Sequence, residues 1–323
     1  MKTSTEKIRV GVVGTGYLGK FHAEKYARME GVELVGVADI DPRAVATVAE
    51  ACATQGFMRH NDLLDRVDAV SIVVPTSAHF EVSKDFLAHG VDVLIEKPMT
   101  TTLAEADELI DFAASKGRII QVGHLERFNP ALMALKDIIE RPLFIESHRL
   151  AIYKERATDV SVVLDLMIHD IDLISSFARS ELHGVHAAGA PVVSEEIDIA
   201  NARLEFESGC IANVTASRVS LKNQRKIRLF QKDGYISVDF AQHQITIIRK
   251  QDDTSDGLIP GMDIQQRSFA QGDALEEEIK AFVRAVRTRQ SPLVDGNVGR
   301  KALKIAIDVM DQINNKITLF FKP

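Results

Sequence analysis

The apolar segment Ile8–Val13 runs directly into Gly14-Thr15-Gly16-Tyr17-Leu18-Gly19. It reads as a buried strand, a glycine turn and the start of a helix. A second apolar run, Val32–Ala38, ends in Asp39, about 20 residues beyond the last glycine, the usual spacing of a dinucleotide-binding βαβ unit. Gly14 lets the strand turn sharply, and Gly16 lets main chain approach a pyrophosphate. Gly19 lets helix and strand pack closely. The pyrophosphate is received by free N–H groups at the helix N-terminus. Asp39 stands where an acid accepts hydrogen bonds from a ribose. The glycines alone are a weak signal; the flanking strands and the acid make it specific.

The same alternation continues through the first third of the chain. Asp41-Pro42 reads as a cap and first residue of a helix. The run 69–74, closed by Pro75, reads as a buried parallel strand. Helices over about 78–88 and 102–116 end at Gly90 and Gly117, and strands follow at 91–95 and 118–122. The expectation is a doubly wound parallel sheet ending near residue 123.

Beyond it the texture changes. Residues 197–206 alternate, with Ala200, Ala202, Leu204 and Phe206 on one face and Asn201, Arg203 and Glu205 on the other. Residues 210–219 alternate likewise, with Ala212, Val214 and Ala216 opposite Asn213, Thr215 and Ser217. A three-residue loop, Glu207-Ser208-Gly209, aligns these faces by pairing Leu204 with Ala212 and Arg203 with Asn213, with Gly209 left-handed. Further strands are expected at 225–231, 235–240 and 243–249, and helices at about 274–289 and 297–314. The fold class is therefore α/β: a Rossmann domain over 1–123, then an α+β domain over 124–323 with a large, mostly antiparallel sheet.

A chain of 323 residues suits two domains. A net charge of −7 argues against a nucleic-acid partner, and the basic stretch Lys222–Arg228 reads as a solvated strand and loop face. No apolar run reaches membrane-spanning length and the segment Met1–Lys7 is polar, so neither a span nor a secretory leader is expected. Cys52 and Cys210 imply no disulfide framework and a reducing, cytoplasmic compartment.

The predicted helix over 160–178, VSVVLDLMIHDIDLISSFA, contains no Lys, Arg or Glu. At helical spacing its apolar positions cover most of the circumference. A polar arc about 80° wide holds Ser161, Asp165, His169, Asp172 and Ser176, and only Asp170 falls outside it. Asp165 and His169 are i and i+4 and share a face. Short acids, hydroxyls and a histidine suit a stripe facing a cleft. By itself the helix fits equally a histidine and acids that satisfy one another in a core. Glu96-Lys97-Pro98 follows a predicted strand at the carboxyl edge, where doubly wound sheets bind ligands. Alone, that tripeptide is a surface lysine at a strand end.

Together, GTGYLG at 14–19, Asp39, VVPTSAH at 73–79, EKP at 96–98 and DLMIHD at 165–170 resemble the glucose–fructose oxidoreductase, inositol dehydrogenase and MocA (Gfo/Idh/MocA) family over nearly the full length. The resemblance implies an NAD(P)-binding Rossmann domain and a sheet domain that often builds oligomers. It implies a catalytic set of Lys97, Asp165 and His169 facing the nicotinamide. Cofactor-binding positions are then Gly14, Thr15, Gly16, Tyr17, Leu18, Asp39, Ile40, Pro75, Thr76, His79, Glu96 and Lys97. Substrate-binding positions are Lys97, Arg127, Asn129, Arg156, Asp165 and His169. Within the family, QVGHLERFNPA at 121–131 and TDVSVVLDLMIHDIDL at 158–173 resemble bacterial UDP-N-acetylglucosamine 3-dehydrogenases of the lipid A pathway. Segment 151–156 departs from their pattern. Related members act on other nucleotide sugars, inositols or free sugars.

The implied chemistry is oxidation of a secondary sugar hydroxyl, with hydride passing to the nicotinamide and the proton to a base. Imidazole titrates near working pH, so His169 suits the base. Asp165 would orient it, and Lys97 would hold the hydroxyl and the developing alkoxide. Lys97 as the base stays open. Asp39 favours NAD over NADP, with Ile40 offering no counter-charge and Arg43 nearby. A homo-oligomer through the polar face of the second sheet is expected. A metal site is disfavoured: His183 and His186 are three apart on a predicted strand and point to opposite faces, and Asp165 and His169 give only two ligands. Two readings of other classes use the same fold: an NAD-using glycoside hydrolase and a non-catalytic NAD-binding regulator.

Overall fold

The computed structural model describes residues 6–154, 160–251, 261–269 and 272–320, in two compact units. The first begins with β1 (Ile8–Val13), α1 (Tyr17–Arg28), β2 (Val32–Ala38), α2 (Pro42–Ala51) and β3 (Gln55–Phe57). It continues with β4 (Ala69–Ile72), α3 (Thr76–Ala88), β5 (Asp92–Glu96), α4 (Leu103–Ser115) and β6 (Ile120–Gly123). The strands form one sheet in the order β3-β2-β1-β4-β5-β6, parallel throughout. That is the doubly wound order with its switch point between β1 and β4, at the glycine turn. Local chemistry sets the helix starts. Asp41 caps α2 by accepting from the N–H groups of Arg43 and Ala44, with Pro42 in the first turn. Thr102 and Glu105 form a reciprocal capping box on α4.

The second unit holds α5 (Pro130–Met133), β7 (Pro142–Leu150), α6 (Ile168–Ala178), β8 (Leu182–Ala190), β9 (Ile199–Phe206) and β10 (Ile211–Ser217). β11 (Gln224–Gln231), β12 (Gly234–Asp239), β13 (Gln244–Lys250) and β14 (Met262–Ser268) complete its sheet. The order is β14-β13-β12-β11-β7-β10-β9-β8, antiparallel except for the β7–β10 pair. The hairpin register is the one expected: Leu204 faces Ala212, Arg203 faces Asn213, and Gly209 has φ +83°. Ala200, Ala202, Leu204, Ala212, Val214 and Ala216 are fully buried against α6 residues such as Ile171 and Ile174. The opposite face carries Asn201, bonded to Thr215 at 2.9 Å, the Arg203–Glu205 pair, and a row of rings, Phe144, Phe230 and Tyr235, with centroids 5.7 and 5.0 Å apart. Ser217, expected on that polar face, is buried and accepts from the N–H of Val219.

The chain then forms α7 (Ala274–Thr288) and α8 (Gly296–Phe320). A single boundary at residue 123 does not describe this course. Residues 273–301 return to the first unit, and the division runs through α8. The reason is the apolar side of α7: Ile279, Phe282, Val283, Ala285 and Val286 join the core built by Val10, Tyr26 and Val37. The later part of α8 puts Ile305, Val309 and Ile313 into the second core. Each such aliphatic side chain removed from water contributes roughly 1.5–3 kcal/mol. Among the described residues no helix is long and apolar enough to cross a membrane.

Candidate active site

The glycine turn has the geometry its residues require. Gly14 has φ +94°, and a Cβ there would lie 2.3 Å from the Val73 carbonyl oxygen. A Cβ on Gly19 would lie 1.8 Å from the Gly14 oxygen, whereas one on Gly16 would meet nothing within 4 Å. Gly14 and Gly19 are thus demanded by the fold, and the open space is at Gly16, where α1 begins. Asp39 closes the loop from β2. Its Oδ2 accepts from Thr15 N at 2.6 Å and Thr15 Oγ1 at 3.1 Å, and its Oδ1 accepts from Asp41 N at 3.0 Å. Burial pushes the Asp39 carboxyl up, but these donors more than offset it and hold it below the usual carboxylate range. Thr15 is buried, Leu18 half-buried, and Tyr17 and Ile40 are exposed, Ile40 by 90%. An open cradle, a helix N-terminus and a fixed acid fit a dinucleotide.

At the carboxyl edge of β4 and β5, Pro75 occupies the cap position of α3 and Thr76 its first turn. His79 is buried, with Nδ1 2.9 Å from the Pro98 carbonyl and Nε2 2.9 Å from the Val74 carbonyl. Burial pushes its pKa below the ordinary value against the pull of both carbonyls. His79 therefore joins the β4–α3 turn to the loop after β5, where the Lys97–Pro98 peptide is cis. Lys97 is half-buried. Glu96 is 6% exposed; its Oε2 accepts from Lys97 N at 3.2 Å, and its Oε1 lies 3.3 Å from His22 Nε2 on α1. Burial pushes the Glu96 carboxyl up. The His22 hydrogen bond and charge, followed by Lys97, outweigh that and hold it below its usual range.

In the second unit the predicted helix is not uniform. Residues Val163–Met167 form a π-helical turn before α6. Asp165 lies in the π turn and His169 in the first turn of α6, both half-buried. Single π turns often mark functional sites. Ser161 sits ahead of the turn and accepts from Val163 N, and Asp172 is buried, so the expected polar arc is interrupted. Asp170, the residue outside that arc, is buried on β7: it accepts from Arg149 Nε at 2.6 Å and Ser147 Oγ at 2.9 Å. This pair fixes the rotation of α6 on the sheet. Arg218 makes an ion pair with buried Asp198 at 3.4 Å and donates to the Val160 carbonyl, tethering the start of the segment. The basic stretch also departs from expectation. Arg225 is half-buried, 5.9 Å above the Phe240 ring, and burial pushes its pKa down.

Arg127 is half-buried at the end of the first unit. Asn129, in the second, accepts from Ala131 N at 3.0 Å as the cap of α5. Arg156 lies outside the described residues. The structure thus orders Gly14–Leu18 with Asp39 and Thr76 with His79, Glu96 and Lys97 in one unit, and Asp165 with His169 in the other. Sequence reasoning did not single out His22, Arg149, Asp198 or Arg218. For His22 a signal existed: it shares the inward stripe of α1 with Gly19, Ala23 and Tyr26.

This fold and these residues define a dinucleotide-dependent oxidoreductase built from a Rossmann unit and a sheet unit. Residues 8–124 match the oxidoreductase family with an NAD-binding Rossmann fold, and residues 142–237 match the GFO/IDH/MocA C-terminal domain. The chain belongs to the GFO/IDH/MocA oxidoreductase family. It is 39% identical over 303 residues to UDP-N-acetylglucosamine 3-dehydrogenase of Acidithiobacillus ferrooxidans, covering 94% of this chain and 96% of that one. A solved structure of that enzyme superposes with a TM-score of 0.91, at 38% identity, over 95% of this chain and 97% of the other. Myo-inositol 2-dehydrogenase of Thermotoga maritima is 25% identical over 329 residues, 96% of this chain and 97% of the relative.

Proposed function

We propose that the protein oxidises a secondary hydroxyl on the sugar ring of a nucleotide sugar, UDP-N-acetylglucosamine at C3, with NAD as acceptor. The observation that carries this reading is the full-length likeness to the Acidithiobacillus ferrooxidans enzyme. The retained Lys97, Asp165 and His169 support it. Bound NAD supplies the hydride acceptor, held at Gly14–Leu18, Asp39, Ile40, Pro75 and Thr76. His169 takes the hydroxyl proton, Asp165 orients the imidazole, and Lys97 donates to the hydroxyl oxygen as negative charge develops there. Arg127, Asn129 and Arg156 complete the substrate contacts. Glu96 and His79 act on the Lys97 loop from within. Asp39, ionised and fixed, favours NAD over NADP. The polar face of the second sheet, with its half-buried ring row, pairs copies into a homo-oligomer. The keto sugar formed suits a cytoplasmic step of lipid A assembly that replaces a hydroxyl with an amine.

The test is absorbance at the NADH band with NAD and a panel of nucleotide sugars, inositols and free sugars. Reduction with UDP-N-acetylglucosamine is expected. Reduction with an inositol alone would favour the second reading, which rests on the inositol dehydrogenases among the relatives. Sugar cleavage without net NADH would mark a hydrolase. NAD binding without turnover of any sugar would mark a regulator.

A further inference from the structure

Glu96 is a buried acid next to a residue placed in the chemistry, and its partner is on another element. His22 is 0% exposed on α1, with Nε2 3.3 Å from Glu96 Oε1 and its Nδ1 buried without a hydrogen-bond partner. With no acceptor at Nδ1, the ring N–H belongs on Nε2, where the carboxylate is. The other oxygen accepts the Lys97 N–H at 3.2 Å. The carboxylate fills the space that a side chain at position 123 would take: a Cβ on Gly123 would lie 3.0 Å from its Cδ and Oε2.

We propose that His22 is a positioning residue for the reaction, holding the Glu96 carboxylate so that it fixes the main chain at Lys97 and sets a negative charge at the base of the Lys97 side chain. The proposal rests on the reading of Lys97 given above. A carboxylate buried this deeply on a neutral ring N–H is poor value for stability alone, since apolar residues of similar volume do as well. Beside Lys97, however, a fixed carboxylate favours the ammonium form that a developing alkoxide needs. The titratable groups facing Glu96 are His22 from α1, His79 from α3 and Lys97 at its own strand end. From β6, Gly123 meets the carboxylate and buried His124 follows it.

The experiment compares His22→Leu, His22→Gln and Glu96→Gln with the unaltered chain. It measures kinetics with NAD and UDP-N-acetylglucosamine across pH, calorimetric NAD titration, and nitrogen-15 spectra of the histidine rings. His22→Leu leaves Glu96 without its donor and favours the neutral acid, which withdraws charge from Lys97. On the basic limb turnover should fall roughly tenfold, the equivalent of one pKa unit. The basic limb of the kcat/KM profile should move to lower pH, and NAD affinity should stay within about twofold because the cradle is elsewhere. Glu96→Gln should move the limb the same way, and His22→Gln, which keeps an N–H donor, should recover most of the rate. The ring signal lost in His22→Gln should belong to an Nε2–H tautomer. An Nδ1–H tautomer, or a folded His22→Leu with normal turnover and pH profile, overturns the proposal. Should His22→Leu fail to fold, Glu96→Gln and the spectra decide. Normal turnover in Lys97→Ala would instead defeat the reading of Lys97 itself.

Discussion

The proposed preference for NAD rests on Asp39, and Asp39→Asn isolates its charge. The asparagine keeps an oxygen for the Thr15 N–H, now 2.6 Å from Oδ2, and gives up only the acceptor of the exposed Asp41 N–H, so the loop should keep most of its shape. A 2′-phosphate on the adenosine ribose would bring like charge toward the carboxylate, and about 5 Å serves as a working separation. Two unit charges at that distance repel by about 3 kcal/mol at an effective dielectric near 20 and by under 1 kcal/mol in bulk water. Asp39 is half-buried and lies between these limits. The expected discrimination is about 1–3 kcal/mol, or roughly 5- to 150-fold in Kd. Exposed Arg43, on the first turn of α2, works the other way. A solvent-screened guanidinium offsets under about 1 kcal/mol, so the sign stands. Calorimetric titration of the unaltered protein should show tighter NAD binding by that factor. In Asp39→Asn the ratio should fall to within about threefold, chiefly through tighter NADP, with little change in Tm. Equal affinities in the unaltered protein, or an unchanged ratio in Asp39→Asn, would refute the electrostatic argument.

Three further outcomes are expected. His169→Ala and Lys97→Ala should each lower turnover by about 10²- to 10⁴-fold, the usual worth of a general base or a charged donor, while NAD titrations stay unchanged; near-normal turnover in His169→Ala would remove it as the base. Burial raises the Asp198 carboxyl, but three N–H groups and the Ser194 hydroxyl outweigh it and hold its pKa at about 2, so its stabilisation is present above pH about 4 and lost as pH falls toward 2. Its ionisation is worth about 2 kcal/mol by linkage, and the urea-midpoint gap between the unaltered chain and Asp198→Asn should narrow from pH 7 to pH 3; a constant gap would contradict this. Phe230→Glu, placed in the half-buried ring row, should shift sedimentation at micromolar concentration toward the monomer, and an unaltered chain that is already monomeric would end the oligomer proposal.

Most of the fold was legible because its strands and caps obey local rules. The Rossmann strands are apolar on both faces, and the 204–212 hairpin alternates cleanly around a left-handed glycine. β7 was not legible. Its core-facing positions are Ile145, Ser147 and Arg149, so the alternation that marks a half-buried strand is broken by a hydroxyl and a guanidinium. The buried Asp170 on α6 explains them, and that contact spans two elements no local pattern connects. α7 reads correctly as an amphipathic helix, but periodicity does not say which core receives its apolar side. The π turn over 163–167 was equally hidden, since one extra residue per turn leaves no compositional trace.

The candidate site divides along the same line. Lys97, Asp165 and His169, the proposed catalytic set, stood out in the sequence by their unusual company. Their supports were not, because each support is a polar pair between residues far apart in the chain. Glu96 beside Lys97 is held by His22, Asp170 beside His169 by Arg149, and Asp198 with Arg218 grips the carbonyl of Val160 ahead of Asp165. Buried pairs of this kind add little net stability, because desolvation consumes most of the attraction. They do impose direction, since a charge in low dielectric tolerates few geometries. An apolar contact would let α6 turn slightly on the sheet at small cost, and Asp165 and His169 would turn with it. An Arg149–Asp170 bond at 2.6 Å does not permit that rotation without exposing a bare charge to the core. The polar atoms spent inside these two units are therefore best understood as the means by which each unit aims its own share of the chemistry.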